Sequence, residues 1–216
     1  MPPELTKSGI GHTSVGGVVQ DRSEVSINKA INSPIGELAE ALWRIMPDTA
    51  TEQGPMPDGL GERFEALFGA NGDGSGHAAC VVARHFPWLD YWFSEWSNRI
   101  LRPMFAIDHP LAEAVWHGFA TSPHWPSTET LNTLCPSLLS VLKGETTWEL
   151  DESEKQHWIQ KMVVLTRPEN DGGPPVSFRE AREVLIALDD KGRGDALWML
   201  GNIASDQQTW NSFIKP

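Results

Sequence analysis

Residues 32–46, NSPIGELAEALWRIM, constrain the fold more than any other stretch. Ser33 suits a helix N-cap, and Pro34 falls at the first helical position, where a missing N–H costs nothing. Ile35, Leu38, Ala39, Leu42, Trp43 and Met46 recur at steps of three and four residues, so they share one helical face. A face this wide cannot stand alone in water and must pack on other helices.

The rest of the chain supplies such partners. Helices are expected over 60–68, 76–86 and 94–102, and from Asp108 onward with Leu111, Val115 and Phe119 inward. Pro87 should break the second of these, and Pro103 should end the third. Leu131, Leu134, Cys135, Leu138, Leu139 and Leu142 give 128–143 the strongest periodicity of all, with Pro136 predicting a kink or two short helices. A helix over 151–165 buries Trp158, Met162 and Leu165, and a loop comes next over 167–176. Ser177 and Glu180 form a capping box ahead of Ala181, Val184, Leu185 and Leu188. A turn over 189–194 then leads into 195–204, with Leu197, Leu200, Gly201 and Ala204 aligned, and a last short helix surrounds Trp210 and Phe213. The expected fold is all-α: an irregular helical array or HEAT-like bundle of short helices, over residues 32–216. Residues 1–31 read as a flexible tail or linker, in which Val15, Val18 and Val19 suit a short strand whose partner lies outside the chain. That strand, and an ending at the edge of an element, suit a piece of a longer protein.

Composition narrows the function classes. A net charge of −12 and the absence of any Lys/Arg run argue against a nucleic-acid surface, so a nucleic-acid-binding module stands only as an alternative reading. No secretory signal or membrane-spanning run occurs, which leads us to expect a cytoplasmic protein. The two cysteines, Cys80 and Cys135, lie far apart on apolar helix faces and read as buried free thiols, inert as nucleophiles.

Motifs for chemistry are weak. The run of Gly72, Gly74 and Gly76 lacks the Lys-Ser/Thr of a phosphate loop, and Asn71, Asp73 and Ser75 lack the closing acid of a calcium loop. Asp151, Glu152 and Glu154, and likewise Asp189, Asp190 and Asp195, suit helix ends better than a magnesium site. His109, His117 and His124 are the one set that could build a zinc site, and a metal-dependent hydrolase is the alternative they offer. No metal, cofactor or catalytic residue is otherwise expected. Ten Trp against one Tyr point first to helix packing. Trp88, Trp92, Trp96 and Trp116 become candidate anchors for a protein partner if they reach the surface.

Three pieces together resemble a known family: NSPIGELAEALWRIM at 32–46, HPLAEAVWHGF at 109–119 and AREVLIALDDKGRGDALWMLGNI at 181–203. They are similar to a helical domain of unknown function found toward the C-terminal end of large bacterial proteins. Those proteins often carry a sirtuin-like NAD-consuming domain at the other end and are associated with defence against phage. The resemblance implies an accessory module for sensing, docking or oligomerisation, with a protein partner or other domains of a larger polypeptide, or further copies of itself. It carries over no site residue and no cofactor.

Overall fold

The structure, a computed structural model, describes residues 13–15, 18–20, 26–46, 53–166 and 174–203. The fold is all-α. Eleven helices are assigned among the described residues, none long and apolar enough to cross a membrane. One small antiparallel pair, β1 (Thr13–Val15) with β2 (Val18–Gln20), sets Ser14 opposite Val19. The valine strand therefore finds its partner inside the chain, where the sequence suggested one outside it. The chain divides into two compact units, Met1–Ser127 and Thr128–Pro216, within the span read from sequence as one helical domain.

The first unit is arranged around α4 (Gly74–Arg84). Its Ala78, Ala79, Cys80, Val81, Val82 and Ala83 are all at most 2% exposed, so the helix is covered on every side. Small side chains allow this, because they let neighbouring backbones approach. Those neighbours are α1 (Ile27–Ile31), α2 (Pro34–Arg44), α3 (Leu60–Phe68) and α7 (Ala112–Ala120). The closest approach is at Gly118 of α7, where an added Cβ would lie 1.9 Å from the Cys80 carbonyl oxygen. The α1–α2 corner is equally tight. Ser33 Oγ donates to the Ala30 carbonyl at 2.8 Å and accepts the Gly36 N–H at 3.0 Å. A Cβ on Gly36 would strike that same carbonyl. Helix α1 itself falls in the stretch read as a tail, and its Ala30 is fully buried.

Pro87 marks a break as expected: α4 ends at Arg84, and α5 (Phe86–Trp92) starts with the proline in its first turn. Ser94, which opens the helix expected over 94–102, makes no side-chain cap. It is instead the first residue of a short α6 (Ser94–Trp96), which runs into a π-turn at Ser97–Leu101 and a 3-10 turn at Arg102–Phe105, with Pro103 inside the latter. Buried Asp90 holds this irregular run. It accepts hydrogen bonds from Ser97 Oγ at 2.8 Å and from Arg102 Nε and Nη2 at 2.7 and 3.1 Å. Helix α7 begins at Ala112 rather than near Asp108, because His109 Nδ1 takes the Leu111 N–H before the helix starts.

The second unit comprises α8 (Thr128–Leu142), α9 (Glu152–Leu165), α10 (Phe178–Ala187) and α11 (Asp190–Ile203). Helix α8 runs through Pro136 as one element, not as the two short helices that were one of the two expectations. Leu131, Leu134, Cys135, Leu138, Leu139 and Leu142 are buried on both sides of the proline, and that shared face outweighs one lost backbone bond. Capping boxes start α9 (Asp151 with Glu154) and α10 (Ser177 with Glu180). Helix α11 begins five residues before the sequence reading placed it. Asp189 Oδ1 accepts the Gly192 N–H at 2.8 Å, so the expected turn is already the first helical turn. Gly192 then packs on Ile159 of α9, and Ala196 rather than Leu197 points inward. The 167–173 part of the expected loop and the helix around Trp210 and Phe213 lie outside the described residues.

Two glycines separate close approach from mere flexibility. Gly118→Ala should destabilise the protein by about 3 kcal/mol, since backbone cannot yield to the new methyl. Gly194→Ala on α11, where nothing lies within 4 Å, should instead gain about 0.5–1 kcal/mol of helix propensity. Urea unfolding of the two variants measures both signs.

Candidate interaction surface

The four tryptophans fall into two classes. Trp116 is fully buried, and its Nε1–H donates to the Phe105 carbonyl at 3.2 Å. It packs on Phe105 and Phe119 at centroid distances of 5.2 and 6.2 Å, and Phe86 meets those two phenylalanines at 4.7 and 5.3 Å. Trp96 is 5% exposed and donates from Nε1 to Glu65 Oε1 at 3.0 Å. Both are core side chains. Trp88 and Trp92 are half-buried, with ring centroids 6.3 Å apart. Trp88 also meets Trp43 edge-on at 4.9 Å.

His85 completes that aromatic group. Its ring stacks on Trp43 at 3.8 Å and 12°. Its Nε2 is buried without a hydrogen bond among the described residues, 3.7 Å from Glu40 Oε1. Burial pushes the His85 pKa down to about 4, with Arg84 adding to the effect and Glu40 opposing it.

The three histidines of the zinc alternative each hold separate local contacts. His117 is buried, with Nε2 4.0 Å from Glu113 Oε1. His109 accepts from Leu111, and exposed His124 donates its backbone N–H to Ser122 Oγ. Among the described residues no group of three His, Cys, Asp or Glu is placed to hold a metal ion. Cys80 and Cys135 are buried free thiols, and burial, with the Glu180 charge second, pushes the Cys135 thiol up to about 11. That thiol is held in its unreactive protonated form.

Two concavities of the first unit are large enough to hold part of a partner. A cavity of about 210 Å³ is lined by Asp58, Glu62, Glu65, Glu95, Trp96 and Arg99, among others. Its indole N–H and guanidinium are both engaged by Glu65, with Arg99 Nη2 at 2.9 Å from Oε1. The second is an open groove of about 390 Å³ between α2 and α3. Its lining is Leu38, Ala41, Leu42, Ile45, Ala66 and Leu67, with Arg63 as the one charged member. Leu38 is 52% and Ile45 63% exposed, although α2 packs its other face on α4. The sequence placed Leu38 and Leu42 on the buried stripe. In fact the stripe is split: Ala39 and Met46 are buried, Trp43 stacks on His85, and Leu38 and Leu42 line the groove with Ile45.

No family model, curated protein or solved structure matches the chain.

The neutral His85 makes stability depend on pH in a defined direction. The folded chain resists protonation down to about 4, whereas an unfolded histidine takes up its proton near 6.5. Stability should therefore be full above about 6.5, fall as pH drops toward about 4, and change no further below that from this group. His85→Phe keeps the stack on Trp43 and should flatten this part of the curve in urea unfolding measured between about pH 4 and 7.

Proposed function

We propose that this chain is a non-catalytic helical interaction module whose docking surface is the α2–α3 groove. The observation that carries the reading is Leu38 and Ile45, more than half exposed on the walls of an almost wholly apolar groove. Removing the rest of each side chain from water contributes about 1–2 kcal/mol. A groove between two helices suits an amphipathic helix, which offers large side chains at three- and four-residue steps. The Trp pair at Trp88 and Trp92 is a secondary contact surface, while Trp96 and Trp116 serve the core.

The setting we propose is a bacterial anti-phage defence protein. It is supported by the resemblance of residues 32–46, 109–119 and 181–203 to the helical domain of sirtuin-associated defence proteins. Plaque counts on cells expressing the chain in that setting, with and without Leu38→Lys, test it: protection should be lost with the variant.

Docking itself is tested by replacing Ile45 with the photocrosslinker p-benzoylphenylalanine in the cells that express the chain. Irradiation should yield an adduct of defined mass that Leu38→Lys removes without changing the circular dichroism melt. The same crosslinker in place of Asn98, on the exposed π-turn, should not yield it. Equal labelling from both positions would overturn the assignment.

A further inference from the structure

The groove has a self-complementary charge pattern. Leu38 and Ile45 stand seven residues apart on α2, close to two helical turns, with Ala41 and Leu42 between them. Immediately before each comes a charged residue: Glu37 before Leu38 and Arg44 before Ile45. Both are exposed, and neither makes an ion pair or side-chain hydrogen bond among the described residues.

We propose that the occupant of the groove is a second copy of this chain, with the two α2 helices packed antiparallel about a two-fold axis near Ala41. The proposal rests on the groove being the docking surface. In such a pair Leu38 of each copy lies over Ile45 of the other, and the small Ala41 sits where the helices come closest. Positions flanking the apolar stripe on one side face the same positions on the other copy, in reverse order. Glu37 of one copy then meets Arg44 of the second, and the symmetry repeats the pair. A parallel pair would bring neither charge to an opposite one. A foreign acidic helix would satisfy Arg44 and Arg63 but set like charge against Glu37. A basic one would do the reverse. A copy of α2 meets both signs, at the spacing α2 itself has. Glu37 in the first turn and Arg44 in the last also suit the dipole of their own helix, an effect present in the monomer and undisturbed by antiparallel pairing.

Sedimentation equilibrium of the whole chain at low salt tests this. The wild type should self-associate to a dimer in the micromolar range. Arg44→Glu sets two carboxylates together at both ends of the contact and should raise the dimer Kd about tenfold. Glu37→Arg should do the same with two guanidinium groups. The double variant Glu37→Arg/Arg44→Glu should restore the wild-type Kd. As a check independent of charge, Ala41→Cys should oxidise to a covalent dimer, since Cys80 and Cys135 are buried. Glu37→Cys should not, because antiparallel packing puts the two positions at opposite ends.

A dimer indifferent to the charge variants, or one that the double variant fails to restore, overturns the antiparallel packing. A wild type that stays monomeric overturns the second copy as occupant. If position 45 still crosslinks to a different protein, the docking reading survives that failure. If it crosslinks to nothing, both readings fall.

Discussion

The first unit depends on backbone-to-backbone contact at α4. A helix of alanines, valines and one cysteine has little side-chain bulk, so its neighbours settle against its peptide groups. At Gly118 the fit leaves no room for a single methyl group. Dispersion between closely packed surfaces is small per atom pair and large in sum. It explains how a helix with modest side chains can organise four others. The large aromatics do a different task, filling the wider space beside α7, where Trp116, Phe105, Phe119 and Phe86 interlock.

The same geometry accounts for the groove. Ala39 of α2 is fully buried, Gly36 lies against the Ala30 carbonyl of α1, and Ile35 sits beside Gly74 of α4. Its leucines and Ile45 are left to line the groove. The exposed apolar stripe is thus a direct product of how the core is built, and its charged flanks keep it compatible with water.

Much of the helical order was legible in the sequence. The helix over Leu60–Phe68 fell where it was expected, and the Ser177–Glu180 capping box did what its spacing implies. Local chemistry decides such elements. Errors came where a tertiary contact overruled it. Pro136 allows either a kink or two short helices, and a face of six buried residues keeps α8 a single element. Gly192 reads as a turn, yet it is a helical glycine chosen for its closeness to Ile159. The π-turn after Trp96 left no pattern at all. For the candidate surface, periodicity identified the α2 residues but not which of them face solvent, since that depends on how α2 packs on its neighbours. Composition pointed to Trp anchors, and two of the four are buried in the core.

The π-turn at Ser97–Leu101 has a consequence for how this segment tolerates change in length. A π-turn is an α-helical turn carrying one residue too many. Excising one residue there would give a more regular helix and a poorer protein. Every later side chain would rotate by about 100°. Arg102 would then swing away from Asp90, leaving an enclosed carboxylate without its guanidinium. The extra residue thus sets the rotational register that keeps Arg102 against Asp90.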